Sequence, residues 1–277
     1  MAHSTAALVG ATGGAGTTRL AVELGATLAR DGREIAVLDA AFATEGLARH
    51  ATGRIDTDLT ELLVEDRSVD DGRPDDRLSD DRPSVDGRLL SDGLREHPAT
   101  ADLAGRLELC PAYAPFERMA RAKTADAAQR FEALVAEAAE SFDHVLLDTP
   151  PVAANQSVAA VTAAEKVAVV APADDRGVDA IQRTRGRIAD VGASVDCILA
   201  NLAAPEHPVE SADAAIPESE VASLEEVPAS APDPGSTFAP AVAHAAEVVF
   251  DADLGLEFED PGLLDFDADE LLPDALS

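Results

Sequence analysis

Lysine is nearly missing from this 277-residue chain: Lys123 and Lys166 are the only two, and arginine makes up the rest of the 21 basic residues. Against them stand 53 acidic residues, for a formal net charge of −32. That balance leaves no basic stripe to release counterions from nucleic acid, so direct DNA binding is not expected. Self-repulsion of this size is screened in molar salt, where the Debye length is about 3 Å, so the acidity reads as an adaptation to a saline interior. Cysteine is equally scarce. Cys110 and Cys197 lie in or just after apolar runs and lack metal-ligand spacing, which predicts buried free thiols. No run of about 18 apolar residues occurs, and no basic region followed by an apolar stretch opens the chain, so a cytoplasmic protein is expected.

What the chain does have is a 46% hydrophobic composition, enough for a sizeable core. Short apolar runs at 6–9, 34–38, 107–110, 144–147, 167–170 and 195–199 read as strands. Helical patterns fall between and after them, at 19–30, 125–141, 158–163, 178–191 and 239–250. This alternation predicts an α/β fold, a doubly wound, mostly parallel sheet with helices on both faces. Ligands in such sheets bind beyond the carboxyl ends of the strands. Residues 65–93 are rich in Asp, Arg, Gly, Ser and Pro, which predicts an exposed, disordered acidic insertion. The expected organisation is one domain over 1–250 carrying that insertion, then an acidic–hydrophobic tail over 251–277. The composition leaves three fates open for the tail, docking on its own fold, binding another protein, or disorder, with self-docking preferred.

Between the first apolar run and the first helix lies Gly10-Ala11-Thr12-Gly13-Gly14-Ala15-Gly16-Thr17-Thr18. A strand-to-helix turn with these glycines lets successive amides curl around an anion, and the following helix adds its positive end. Gly13, Gly14, Ala15, Gly16, Thr17 and Thr18 are therefore candidate nucleotide-binding residues, with the Thr18 hydroxyl placed to reach Mg²⁺. Thr17 stands where a phosphate-binding loop carries its lysine. The competing reading is a ligand-free glycine turn. Two aspartates end strands on the same sheet edge, Asp39 after Val37-Leu38 and Asp148 after Leu146-Leu147. Asp148, followed by Thr149-Pro150-Pro151, is a candidate Mg²⁺ ligand, and Asp39 is a second candidate for metal or catalysis. For both, the alternative is capping of a turn.

Taken together, the 13–18 loop, the Leu38-Asp39 strand end with Gly46-Leu47, and Leu147-Asp148-Thr149-Pro150-Pro151 resemble the MinD/ParA family of deviant Walker P-loop ATPases. Ile198-Leu199-Ala200-Asn201 and Ala215-Ile216-Pro217 resemble two later strands of that family, which implies nucleotide contacts for Asn201 and Pro217. The Gly-Ala-Gly-Thr-Thr form is most similar to the atypical, TadZ/CpaE-like branch, in a haloarchaeal-type member. The resemblance implies ATP or ADP with Mg²⁺ as ligand, a homodimer, and a role in positioning a partner complex at a pole or membrane site. Three positions depart from the family's pattern. Its signature lysine falls at Thr12, its loop lysine at Thr17, and its second acidic residue at Ala41. The expectation is weak nucleotide binding with slow or absent hydrolysis. Arg19 and Arg54 are the nearest substitute cations. Alternatives are a pseudo-ATPase scaffold that binds no nucleotide and an active ATPase, and no Ser/His/Asp, Cys/His or metal cluster supports another chemistry. Because the tail is acidic, it is not expected to bind anionic lipid directly.

Overall fold

The computed structural model describes residues 3–64, 89–230 and 237–258. Seven parallel strands run through it: β1 (Ser4–Gly10), β2 (Glu34–Asp39), β4 (Arg106–Cys110), β5 (His144–Thr149), β6 (Lys166–Pro172), β7 (Cys197–Asn201) and β8 (Ala214–Ile216). The short β3 (Arg95–Glu96) pairs antiparallel with β4 at one edge. The order across the sheet is β3-β4-β2-β5-β1-β6-β7-β8. Side-chain alternation along β1 divides the core. Ala6 and Leu8 face α1 (Thr17–Arg30) and α7 (Phe238–Phe250), while Ala7 and Val9 face α4 (Ala125–Ser141), α5 (Asn155–Ala163) and α6 (Asp175–Asp190). Burial on both faces is why these strands read as unbroken apolar runs. Where α1 crosses the sheet, Gly25 admits Leu107, whose Cδ1 would lie 2.7 Å from a Cβ at that position.

Several boundaries differ from the sequence reading, and caps explain the starts of α5 and α6. The Asp174 carboxylate accepts from the Gly177 amide at 2.8 Å, so α6 starts at Asp175 instead of 178. The Ser157 hydroxyl accepts from the Ala154 amide at 3.1 Å and starts α5 at Asn155 instead of 158. The last apolar strand is shifted to Cys197–Asn201 because Asp196 binds across to Val167 from just outside it. The expected insertion 65–93 is shortened at its end. Leu90 is 2% exposed in the core, Leu90–Asp92 form a 3₁₀ turn, and the Leu90 amide donates to Glu137 at 2.9 Å. Residues 65–88 and 259–277 lie outside the described residues. Of the tail, Leu254 packs on the α1/α7 side of the core and the Gly255 amide donates to Asp31 at 2.9 Å. Both cysteines are buried and free, and burial raises both thiol pKa values.

One buried acid clamps a distant segment onto α1. Glu23 is fully buried and accepts from the Ala229 and Ser230 amides at 3.0 and 2.9 Å, while Arg30 donates to the Ser230 carbonyl at 2.6 Å. At the opposite edge from the strand ends, His144 joins β5 to its surroundings. Its Nδ1 lies 2.7 Å from the Ser4 hydroxyl, its Nε2 3.2 Å from Arg33, and its ring 4.4 Å from that of Phe250. Burial, then Arg33, pushes its pKa down to about 4, against Asp143 and Asp31. The folded value lies below the unfolded one, so the contribution of neutral His144 is fully present above pH 6.5 and is lost as pH falls through 4. His144→Gln is expected to remove about 3 kcal/mol of the stability change between those limits. Denaturant melts of both chains across that range check this, and parallel pH profiles would refute it.

Candidate functional site

The loop between β1 and α1 stands at the centre of the carboxyl edge of the sheet. Gly14 and Gly16 have φ of 80° and 79°, so the chain turns through two left-handed positions that turn amides inward. Ala15 is 1% exposed and anchors the turn, whereas Gly13 and Gly14 are exposed. Among the described residues, the amides of Gly13, Gly14 and Gly16 have no acceptor, and α1 has neither a side-chain cap nor an acidic residue in its first turn. A helix end left this way presents free N–H groups and a positive dipole. Asn201, at the end of β7, closes one wall. Its Nδ2 donates to the Ala15 carbonyl at 2.9 Å and would lie 2.5 Å from a Cβ on Gly16, so that position has to be glycine. Pro217 follows Ile216, the register partner of Asn201, and is half-buried at the same end of the sheet.

Asp39 and Asp148 are register partners on β2 and β5, at 0% and 1% exposure. Their surroundings separate their roles. Both Asp39 oxygens accept from backbone, Oδ1 from the Ala41 amide at 2.8 Å and Oδ2 from the Ala112 amide at 3.2 Å. This is the turn-capping arrangement, reaching two loops at once. Asp148 lies beside the Thr18 hydroxyl, which moderates its pKa, but its Oδ2 is buried with no partner among the described residues. An orphaned buried carboxylate oxygen beside a threonine hydroxyl is a fitting pair of hard donors for Mg²⁺, which needs few protein ligands when phosphates supply the rest. Burial raises the pKa of both carboxyls. Asp39 is pushed further by Asp148, and Asp148 is held back by Thr18.

None of the altered positions regains a cation. The Thr17 hydroxyl lies against Gly10, 2.8 Å from where a Cβ would stand. Thr12 is half-buried in the loop, and Ala41 is 5% exposed. Arg19 turns along α1 to Glu23 at 3.4 Å and over the Phe238 ring at 5.9 Å. Arg54 is 88% exposed and paired with Asp56 at 2.8 Å. Lys166 begins β6 on the far edge and pairs with Asp251. Sequence reasoning noted Gly46 but missed its contact: a Cβ there would stand 2.9 Å from the Thr18 Oγ1, and Glu45 before it has φ of 48°. It also missed Asp58, 2% exposed, which caps the short α2 (Leu59–Leu63), accepts from the Tyr113 amide at 3.3 Å and binds Arg118. The Asp58-Leu59-Thr60-Glu61 pattern, an N-cap with Glu at the third position, was the available signal.

This fold has many solved counterparts. The septum site-determining protein MinD from Pyrococcus horikoshii, solved with Mg-ADP, superposes with a TM-score of 0.68 at 18% identity, covering 89% of this chain and 96% of that one. A ParA family ATPase from Chlorobium tepidum gives 0.61 at 16% identity, covering 88% and 99%. The chain has the MinD/ParA fold. Cobyrinic acid a,c-diamide synthase from Mycobacterium smegmatis, with ADP and magnesium, shares it at a TM-score of 0.60 and 18% identity, over 88% and 92%. No protein-family model matches the sequence, and no curated protein does. Among the described residues of this MinD/ParA-fold chain, no helix is long and apolar enough to cross a membrane, and no group of three or more His, Cys, Asp or Glu is placed to hold a metal.

The orphaned Asp148 makes a test of the site that needs no nucleotide. Its folded pKa is raised, so its contribution to stability is greatest below the unfolded value near 4 and is lost as pH rises. Asp148→Asn is therefore expected to stabilise the metal-free chain at pH 7.5 by roughly 1–3 kcal/mol, with the gain vanishing near pH 4. Urea melts at the two pH values check this, and a variant less stable than its parent at pH 7.5 would show that the ionised carboxylate is satisfied.

Proposed function

We propose that the chain binds ATP or ADP with Mg²⁺ weakly and turns nucleotide over slowly or not at all. In this reading its nucleotide and dimer states serve to position a partner complex. The observation that carries the ligand is the unpartnered Asp148 Oδ2 beside Thr18, at the mouth of a glycine loop whose amides have no acceptor among the described residues. Amides of residues 13–18 would hold the phosphates, and Thr18 with Asp148 would hold the metal. Bound Mg²⁺ would supply the positive charge that the loop otherwise lacks. Asn201 shapes the loop through Ala15, and Asp39 fixes the turns after β2 and β4. The ligands of the Pyrococcus and Mycobacterium structures, Mg-ADP and ADP with magnesium, favour nucleotide with magnesium, and the septum role of the former favours positioning. The loop form favours the TadZ/CpaE-like branch, a homodimer, and recruitment to a pole or membrane site by a partner.

Weak binding follows from Thr17. A charge-assisted contact contributes about 1.5–3 kcal/mol, so its absence lowers affinity roughly 10- to 100-fold. Calorimetry in molar salt is expected to give a Kd in the high micromolar range, with Thr18→Ala removing the Mg²⁺-dependent part. No heat up to millimolar nucleotide would instead support the scaffold reading, which the non-lysine residues at 12 and 17 favour.

Slow turnover follows from the same three positions. Thr12 and Thr17 offer no charge to a transferring phosphoryl group, and Ala41 orients no water. Thr17→Lys is expected to raise affinity about tenfold with little change in phosphate release. Substantial release by the unaltered chain, abolished by Asp148→Ala, would establish an active ATPase.

A further inference from the structure

Beside the candidate nucleotide site lies a groove of about 550 Å³ whose lining includes Glu45, Arg49, Arg54, Ile55 and Tyr113. It has two independent peculiarities. The first is exposed aromatic surface in a chain with 3% aromatic residues: Tyr113 in the lining is 54% exposed, and Phe116, outside the lining but three residues on at the start of α3 (Phe116–Arg121), is 82% exposed. The α3 helix has no fully buried residue. The second is charge. Arg49 and Arg54 face one lining carboxylate, Glu45, with Asp56 paired to Arg54, in a protein of net charge −32. A site that is neutral overall and aromatic within so negative a surface suits a ligand that is acidic and apolar together.

The chain carries such a segment. Residues 259–277 hold seven acidic residues, no basic ones, and the apolar sets Leu263-Leu264, Phe266 and Leu271-Leu272. We propose that this C-terminal segment docks intramolecularly in the groove, with its Leu and Phe side chains against Tyr113 and Phe116 and its carboxylates on Arg49 and Arg54. Reach permits it. The described chain is tied down at Gly255–Asp31, at the edge opposite the groove. From there Leu263, Leu264 and Phe266 lie eight to eleven residues on, an extended reach of roughly 28–38 Å, and α1, which links the same two edges between Asp31 and Thr18, is only roughly 21 Å long. The groove also touches the candidate nucleotide site, because Glu45 precedes Gly46, which packs on Thr18. The proposal does not rest on nucleotide binding, and its test uses none.

Tyr113 is the only tyrosine and the chain has no tryptophan, so tyrosine emission reports on this one place. Acrylamide quenching is measured on the full chain, on a Leu263→Ser, Leu264→Ser, Phe266→Ser chain, and on an Arg49→Glu, Arg54→Glu chain, with circular dichroism confirming the fold of each. Docking is expected to shield Tyr113, so that quenching rises at least twofold in both variants, at every protein concentration. Equal quenching in all three chains would overturn the proposal and leave the groove to an acidic partner. Shielding that disappears on dilution would assign the occupant to a second copy. Release of Tyr113 by deleting residues 67–86, with no effect of the tail variant, would assign it to the insertion.

Discussion

The site depends on burying two like charges side by side. Strands β2 and β5 are neighbours, both end in aspartate at the same register, and neither carboxylate meets solvent. In low dielectric two such anions are strongly unfavourable unless each finds donors. Asp39 solves this with two amides, Ala41 and Ala112, and in doing so fixes the loops after β2 and β4. Those loops carry Gly46 against Thr18 and bring Tyr113 to Asp58. Asp148 is left with Thr18 and one unsatisfied oxygen. The geometry around the β1–α1 loop is thus organised by Asp39 and charged by Asp148, two residues that look alike in sequence.

The strands were legible because parallel strands covered on both faces read as unbroken apolar runs, and six of the eight were anticipated within a few residues from their apolar runs alone. Helix starts were less so, since Asp174 and Ser157 set them through caps that hydrophobic periodicity does not register. The two-residue β3, Arg95-Glu96, carries no apolar signal, and β8 was recognised only through the Ile216-Pro217 likeness. Leu90 was missed because its polar neighbours outweighed it in composition, although it reaches the core. In the site, the glycines, Thr18, Asp148 and Asn201 were brought to one edge as their strand ends required. What separates Asp39 from Asp148 was not legible, since it turns on an amide 73 residues away. The clamp of Glu23 on Ser230, across 207 residues, was hidden for the same reason.

The scarcity of lysine bears on how such a site handles an anion. Three arginines near the carboxyl edge are paired with carboxylates, Arg19 with Glu23, Arg54 with Asp56 and Arg118 with Asp58, and among the described residues none of them is hydrogen-bonded to the loop. The loop therefore presents dipoles without a full charge, inside a protein whose summed field repels phosphate wherever salt is low. Amide dipoles act within a turn of the helix and are insensitive to distant charge, whereas lysines act further and are more easily offset. On the reading proposed above, the only full positive charge at the phosphates is the metal on Asp148 and Thr18. Nucleotide and Mg²⁺ then bind as one unit, since each lacks its principal counter-charge without the other. The coupling rests on the feature that set Asp148 apart, a buried oxygen with no donor among the described residues.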